Sequence, residues 1–285
     1  MSRARVVVLT SLAMVAFACN SLLCRVALGH TSIDAASFTT IRLMSGAVVL
    51  WLVAGMSRGT PAGTGNWPSA LALFVYAAGF SFAYVSLPAS TGALLLFGAV
   101  QATMIGHGIC AGERLSRPQL IGLVLALAGL VGLLLPGLSA PPLSGALLIL
   151  SAGVAWGVYS LRGKGTGDPT RVTAGNFLRA VPIAAALSVL MHDRATLDSA
   201  GVWYAVASGA LASGIGYAIW YTALPALKAT SAATVQLSVP VIAALGGIAF
   251  LGESATLRLV LASAAILGGI ALVILEKRNA NGARN

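Results

Sequence analysis

Aromatic side chains recur at helical spacing inside the most apolar stretches of this sequence. Tyr76, Phe80 and Tyr84 follow one another every four residues, so they would share one face of a helix. Trp156 and Tyr159 lie three residues apart in the middle of a later stretch. Such rings can stack on an organic solute and attract a cationic group. The aromatic residues predicted to contact a solute are Phe80, Tyr84, Trp156, Tyr159, Tyr217 and Tyr221. For Tyr84 and Tyr221, near the ends of their stretches, an interfacial aromatic belt is the alternative.

Side-chain amides interrupt the same apolar stretches. Polar groups in hydrocarbon are costly unless they face protein or water, so the amides predict a polar cavity. An ion pump or channel is expected to carry buried carboxylates or rings of charge, whereas this predicted cavity is neutral. The pattern favours a zwitterionic or amphipathic organic solute over an inorganic ion. The predicted polar contacts are Asn20, Gln101, Asn176 and Gln236.

Four charged residues lie within or at the ends of apolar stretches. Arg42 and Arg179 fall inside two of them, where each could either reach carbonyl groups as a scaffold or contact a solute carboxylate. Glu113 and Glu253 each follow a glycine at the end of a stretch. A structural role in tying adjacent helices together and a role in proton coupling are the two interpretations of these carboxylates.

No catalytic or metal-binding pattern stands out in the sequence. A glycine-rich phosphate loop ending in Gly-Lys-Ser/Thr is absent, so the chain is not expected to hydrolyse ATP. The three histidines, His30, His107 and His192, have no metal-like spacing. We therefore predict no enzyme activity, no metal and no other cofactor.

The composition predicts a protein surrounded by lipid. Of the residues, 58% are hydrophobic and only 8% are charged, and the mean hydropathy is +0.92. Soluble domains carry about a quarter charged residues, so this chain cannot cover its surface with polar groups. The net charge of +10 does not indicate nucleic-acid binding, because the basic residues form no stripe with interleaved aromatics.

Ten stretches are long enough, at about 20 apolar residues, to cross a membrane. The first resembles a secretory signal with a small-residue cleavage site at Ala16-Phe17-Ala18, but it continues to about Leu28 and has a counterpart near residues 144–161. A spanning helix is the preferred interpretation. The predicted helices cover residues 5–28, 34–55, 67–86, 89–111, 117–135, 143–161, 172–191, 199–222, 226–251 and 256–275.

The chain contains an internal repeat. A shift of 137 residues places Cys24-Arg25 on Leu161-Arg162, Arg42 on Arg179, and residues 84–88 on residues 221–225. Because each half holds five predicted helices, the two copies must cross the membrane in opposite directions. We therefore expect an all-α integral membrane protein, with inverted five-helix repeats at residues 1–136 and 137–285 forming one membrane domain around a central cavity.

Basic residues predict the orientation of the helices, because cytoplasmic loops carry an excess of Lys and Arg. Successive connections between the predicted helices lie on opposite sides of the membrane. One side holds Arg25, Arg194 and Arg258. The other side holds twelve, namely Arg3, Arg5, Arg58, Arg114, Arg117, Arg162, Lys164, Arg171, Lys228, Lys277, Arg278 and Arg284. Both termini are therefore predicted to be cytoplasmic.

Several motifs resemble the drug/metabolite transporter superfamily. The sequence from Gln236 through Pro240 to Gly252-Glu253 and Gly268-Gly269 resembles the closing motif of this superfamily. Ala155-Trp156-Gly157 resembles the Trp-Gly that marks the first helix of a repeat, although the first copy has Cys19-Asn20 there. Thr40-Ile41-Arg42 and Phe177-Leu178-Arg179 resemble its second-helix arginine pattern. The chain most resembles the ten-helix bacterial exporters of aromatic amino acids.

That resemblance implies a multi-pass protein of the bacterial inner membrane that exports Phe, Tyr, Trp and related neutral solutes by alternating access. An exporter of other metabolites or cationic drugs with the same fold is the first alternative. A purine, a nucleotide sugar, a membrane-embedded lipid enzyme and a non-transporting subunit are further alternatives. The expected partners are a small-molecule solute and membrane lipid. Proton coupling and facilitated diffusion are both retained as possible mechanisms. A monomer and a dimer are both retained as possible assemblies.

Overall fold

A computed structural model describes residues 1–56, 64–112, 115–135, 140–163, 168–227 and 235–282, with side chains up to residue 273. These residues form ten helices, one short 3₁₀ turn at His192–Arg194 and no strand, which confirms the all-helical prediction. The helices are α1 Arg3–His30, α2 Ala35–Met56, α3 Trp67–Tyr84, α4 Ala89–Cys110, α5 Arg117–Leu134, α6 Leu143–Arg162, α7 Pro169–Leu190, α8 Ser199–Ala226, α9 Ser238–Leu251 and α10 Leu257–Gly282.

Eight of these helices, α1 to α8, are long and apolar enough to cross a membrane. The last two are shorter as apolar segments, at Ser238–Leu251 and Leu257–Val273. The prediction that the ninth helix begins at residue 226 is wrong. Leu224–Ala226 completes α8 as a 3₁₀ turn, and Leu227 is extended, with φ −105° and ψ 136°. Pro225 lacks an amide hydrogen and therefore ends the regular hydrogen-bond ladder here.

Local sequence signals account for several helix ends. Ser116 and Gln119 form a reciprocal capping box at the start of α5. Asp168 accepts hydrogen bonds from the amides of Thr170 and Arg171, which begins α7. Gly252 ends α9 with φ 65°, a left-handed conformation that a glycine adopts without a steric penalty. This turn directs the next residue, Glu253, back towards the bundle.

Helix α8 contains a π-helical segment at Ala207–Ile215. The segment is rich in small residues, so α2 can approach its backbone closely. A Cβ added at Gly209 would lie 2.1 Å from the carbonyl oxygen of Arg42. Single π turns are common at functional sites because they shift the faces of the residues that follow. Here the residues that follow include Tyr217 and Tyr221.

Several helix contacts have a counterpart when the two halves are exchanged. Helices α2 and α7 pack together, as do α4 and α9, and α5 and α10. In addition, α3 packs on α6 in the way that α8 packs on α1. The predicted division between the halves, at residues 136 and 137, lies outside the described residues.

The outer surface of the bundle is apolar along most helices. Large side chains such as Trp51, Trp203 and Phe250 are 61%, 72% and 82% exposed. Exposure of such side chains to water costs free energy, whereas contact with lipid chains does not. The surface therefore suits the membrane environment that the composition predicts.

Candidate functional site

A cavity of about 330 Å³ lies between α3, α4, α6, α7 and α8 and is called the main cavity here. Exposed Arg162, Gly163 and Pro169 form its mouth, at the open end of the bundle. The starts of α3 and α7 and the ends of α6 and α8 lie at this end. The predicted site residues that line the main cavity are Gln101, Trp156, Tyr159, Asn176, Tyr217, Tyr221 and Gln236.

Stacked rings form one wall of the main cavity. Trp156 lies between Tyr159 and Tyr217, with ring centroids 5.3 Å away on each side and an interplanar angle of 27° in both pairs. The centroid of the Tyr217 ring also lies 6.4 Å from that of the Tyr221 ring. The sixth and eighth helices thus combine their aromatic residues into one surface, on which a planar or apolar solute could stack.

Asn176 connects the wall of the cavity to the entrance. Its Nδ2 donates to the Tyr159 hydroxyl at 3.3 Å, and its Oδ1 accepts from the Asn66 backbone amide at 2.9 Å. Gly65, the residue before Asn66, has φ 72°, and a Cβ added to Gly65 would lie 2.5 Å from the Asn176 Oδ1. The amide thereby holds the Tyr159 ring in place while it remains on the cavity surface.

A smaller chamber of about 20 Å³ lies deeper in the bundle and is called the inner chamber. It shares Phe17, Trp156, Tyr217 and Gln236 with the main cavity as wall residues. Its volume suits one polar group rather than a whole solute. Of the remaining predicted residues, Asn20 and Phe80 line this chamber.

A polar network surrounds the inner chamber on the side of α1 to α3. Asn20 Nδ2 donates to the Tyr76 hydroxyl at 3.4 Å, and Arg42 Nη2 donates to the same oxygen at 3.2 Å. Ser208 Oγ donates to Asn20 Oδ1 at 2.6 Å, which links the network to α8. The guanidinium carbon of Arg42 lies 4.7 Å from the Phe80 ring centroid. A cation and several polar groups are therefore concentrated at the end of the cavity.

The two arginines that coincide under the 137-residue shift, Arg42 and Arg179, have different environments. Arg42 is only 2% exposed and sits against the Tyr76 and Phe80 rings. Arg179 instead donates through Nη1 to the carbonyl oxygens of Thr64 and Gly175, near the open end. The scaffold role therefore fits the contacts of Arg179, whereas Arg42 has no carbonyl partner among the described residues.

Tyr84 lies outside both the main cavity and the inner chamber. Its ring is fully buried, 4.7 Å from that of Phe80, and its hydroxyl donates to the Ala89 carbonyl at 3.4 Å. Together with fully buried Ser81 and Leu87, it fills the space between the inner chamber and the opposite end of the bundle. We call this opposite end the closed end.

A carboxylate from the second half fastens the closed end. Glu253 accepts hydrogen bonds from the backbone amides of Ala89 and Ser90 and, at 2.7 Å, from the Ser90 hydroxyl. The contacts place a negative charge at the N-terminus of α4, where the helix dipole favours it. We call this set of contacts the α4 latch. The equivalent Glu113 lies outside the described residues.

Asp34 joins the two halves at the same end. Its amide donates to the Thr196 carbonyl at 3.0 Å, and its Oδ2 accepts from the Thr196 amide at 3.0 Å. Partial burial raises the pKa of Asp34, but hydrogen bonds from Ser37, Thr196 and Ala36 outweigh this and hold the pKa below its usual range. The carboxylate is thus kept ionised while the end is closed.

Several wall residues are absent from the sequence prediction. They are Phe17, Asn66, Ser69, Tyr76, Arg162, Ser213 and Trp220. Tyr76 belongs to the same four-residue spacing as Phe80, which was a usable signal. Phe17 carries no such signal, because its contacts with Tyr217 and Trp220 depend on the packing of α1 against α8.

The walls of the two spaces contain no acidic side chain among the described residues. The described residues also hold no group of three or more His, Cys, Asp or Glu that could bind a metal. The charges near the site are those of Arg162 at the mouth and Arg42 behind the inner chamber. The site can therefore offer aromatic surface, hydrogen bonds and positive charge.

Comparison with known proteins finds a family match in the second half of the chain. Residues 143–275 match the EamA-like transporter family. An uncharacterized protein of Pseudomonas aeruginosa is 59% identical over 275 residues, which cover 96% of each chain.

More distant relatives have functional names. The threonine/homoserine exporter RhtA of Salmonella typhimurium is 37% identical over 162 residues, which cover 53% of each chain. A Streptantibioticus cattleyicolor protein named as a probable terminal-alkyne amino-acid exporter is 29% identical over 205 residues, covering 70% of this chain and 68% of the other. A solved crystal structure with 21% identity has the same fold, with a TM-score of 0.67 and coverage of 97% of this chain and 99% of that chain.

Proposed function

We propose that this chain is an EamA-like transporter, as the match of residues 143–275 suggests, and that it exports amino acids by alternating access of one central site. The main cavity is the observation that carries this proposal. Its volume of about 330 Å³ falls within the range of small-molecule sites. Its wall combines apolar rings with a few placed amides, as expected for a solute that has both apolar and polar parts.

The aromatic wall supports amino acids with aromatic or other apolar side chains as the preferred solutes. Six rings line the main cavity, namely Phe17, Trp156, Tyr159, Tyr217, Trp220 and Tyr221. They can stack on the side chain, and their faces can attract the ammonium group. The names of RhtA and the terminal-alkyne amino-acid exporter favour small amino acids such as threonine and homoserine as the second candidate.

Two inverted halves provide the mechanism in this proposal. The exchangeable helix contacts, such as α3 on α6 and α8 on α1, are those expected of a pseudo-twofold axis in the membrane plane. Rocking of one half against the other would close the mouth at Arg162 and release the α4 latch. The solute would then reach the opposite side from the same wall of rings.

The distribution of basic residues supports an inner-membrane protein with cytoplasmic termini. The mouth of the main cavity lies at the end of the bundle to which the sequence pattern assigns twelve of the Lys and Arg residues, so the described state would face the cytoplasm. This is the side from which an exporter takes its solute. The positive charge, and the absence of acidic residues from the described part of the walls, disfavour a cationic drug as the solute.

Counterflow into proteoliposomes tests the proposal. Vesicles containing the full chain and loaded with one unlabelled amino acid should take up the same labelled amino acid faster than protein-free vesicles. A panel of phenylalanine, tyrosine, tryptophan, threonine and homoserine separates the two candidate solute classes. Counterflow of the aromatic amino acids alone supports aromatic solutes. Counterflow of threonine and homoserine alone supports small amino acids. No protein-dependent uptake of any amino acid would reject the function.

A further inference from the structure

We propose that the inner chamber is the carboxylate-binding subsite of the solute, with Arg42 providing the positive charge. This inference rests on the proposed export of amino acids and specifies how one end of the solute is recognised. It also restricts the substrate class, because a solute without an anionic group would leave the Arg42 charge unbalanced.

The first supporting observation is a buried cation without a counter-ion. Arg42 is 2% exposed, and its Nη1 is buried with no hydrogen-bond partner among the described residues. No acidic side chain pairs with it in the part of the chain that the structure describes. An uncompensated charge in a low-dielectric interior is costly, and an anion brought close to it restores the balance.

The second observation is an independent polar atom at the same place. Ser213 is 1% exposed and lines the inner chamber, and its buried hydroxyl has no hydrogen-bond partner among the described residues. Buried hydroxyls are normally bonded, so an orphan on a cavity wall indicates a missing ligand group. Ser213 and Tyr76 also occupy equivalent positions under the 137-residue shift.

Tyr76 connects the buried charge to the chamber. Its hydroxyl oxygen accepts from both Asn20 and Arg42, so its own hydrogen is left to donate in another direction. Its ring lines the chamber, and a tyrosine hydroxyl next to a guanidinium is a strengthened donor. Tyr76 and Ser213 can therefore supply the hydrogen bonds, and Arg42 acts through Tyr76 and through its field as a positioning residue.

The shape of the two spaces agrees with a solute bound end-on. The inner chamber has room for one polar group, and Trp156 and Tyr217 form the boundary that it shares with the main cavity. A carboxylate in the chamber would place the rest of an amino acid against those two rings. The ammonium group would then lie at their faces, where cation–π attraction is available.

Binding of an amino acid and its neutral analogues to the purified full chain tests this assignment. The wild type should bind phenylalanine at least about tenfold more tightly than phenylalaninamide or phenethylamine, which is the effect of losing one charge-assisted contact. Threonine and threoninamide replace this pair if the wild type prefers threonine. Phenylpropionate, which keeps the carboxylate and lacks the ammonium group, is the third type of probe.

Variants distinguish carboxylate recognition from a structural role. Arg42→Gln should reduce binding of the amino acid to the level of the amide and leave the amide unchanged, whereas Arg42→Lys should retain the preference. Arg179→Gln, at the equivalent position in the other half, is the matched control and should leave the preference intact. Ser213→Ala should keep the melting temperature of the wild type, because its hydroxyl has no partner to lose. The same variant should bind the amino acid several-fold more weakly.

The outcomes separate this inference from the proposed function. The carboxylate subsite would be overturned if the wild type bound the amino acid and its amide equally. It would also be overturned if folded Arg42→Gln lost affinity for the amino acid and the amide to the same extent. Neither result would contradict amino-acid export. Binding of phenylpropionate without any amino acid would support the subsite and reject amino-acid export. If Arg42→Gln does not fold, an unchanged acid-to-amide ratio in Ser213→Ala overturns the subsite. Failure of all probes to bind would reject both.

Discussion

The two ends of the helix bundle are held together by different kinds of contact. At the open end, side chains such as Arg162 and Asn176 make neutral or solvent-exposed hydrogen bonds around a cavity. At the closed end, the carboxylates of Glu253 and Asp34 bind backbone amides across the two halves. Hydrogen bonds to charged groups contribute about 1.5–3 kcal/mol each, so a few of them suffice to keep an end shut and can still be broken. In the proposed mechanism, the closed end is thus the part that has to open.

The largest expected effect concerns the cavity at the open end. Trp156→Ala removes a ring that stacks on both Tyr159 and Tyr217 and forms the boundary with the inner chamber. Binding of the preferred amino acid should weaken about ten- to a hundredfold, because it loses about 0.5–1.5 kcal/mol of ring stacking together with the apolar area buried against the ring. Isothermal titration of the purified variant measures this loss.

Trp203 provides the control for this experiment, since it is 72% exposed and does not line the main cavity. Trp203→Ala should bind the amino acid as the wild type does. Wild-type affinity in Trp156→Ala would remove this residue from the solute site.

The second effect concerns the α4 latch. Glu253→Gln loses the negative charge at the N-terminus of α4 and can no longer satisfy all three donors of Ala89 and Ser90. The equilibrium should shift about tenfold or more towards opening of the closed end. A cysteine introduced by Ala93→Cys, one turn inside the latch, should then react faster with a maleimide in a background without native cysteines.

Asp193→Asn is the control for the latch, because this carboxylate is exposed on the same end and pairs only with neighbouring His192 among the described residues. It should leave the labelling rate unchanged. Equal labelling rates in Glu253→Gln and the wild type would show that the latch does not keep the end closed.

A smaller effect should appear as a dependence on pH. The pKa of Asp34 is held below its usual range in the folded chain, so its carboxylate contributes stability that is complete at neutral pH. That contribution is lost as the pH falls below about 3.9 and through the lowered pKa. The melting temperature of Asp34→Asn should therefore lie below that of the wild type at pH 7, and the difference should shrink in acid. A difference that grows in acid would contradict the assignment.

The smallest effect is expected at the mouth of the cavity. Arg162 is exposed and donates to Ser69 and Asn66, so its charge is screened by water and salt. Arg162→Gln should weaken binding of an amino acid by about fivefold or less, and less still at high salt. Exposed Arg117 at the start of α5 is the matched control. A loss as large as that of Trp156→Ala would move the main solute contact to the mouth.

The sequence predicted the wall of the main cavity better than the ends of the bundle. Helical periodicity and polar residues within apolar stretches suffice to identify Trp156, Tyr159 and Asn176, because these signals are local. The partners of Glu253 lie 163 and 164 residues away, so no local pattern could reveal them. Under the 137-residue shift, Phe80 and Tyr84 coincide with Tyr217 and Tyr221. This coincidence did not predict that the two pairs lie in different parts of the bundle. One pair lies towards the closed end and the other on the cavity wall, since a single conformation of two related halves need not be symmetric.

Distances between spin labels across both ends test alternating access most directly. One pair is Ser86→Cys with Ser254→Cys, on exposed connections beside the α4 latch, and the other is Thr64→Cys with Ala226→Cys, across the open end. Addition of a transported amino acid should lengthen the distances at the closed end and shorten those at the open end. Distances that stay unchanged at both ends, or lengthen together at both ends, while the labelled protein still transports the amino acid would contradict the account.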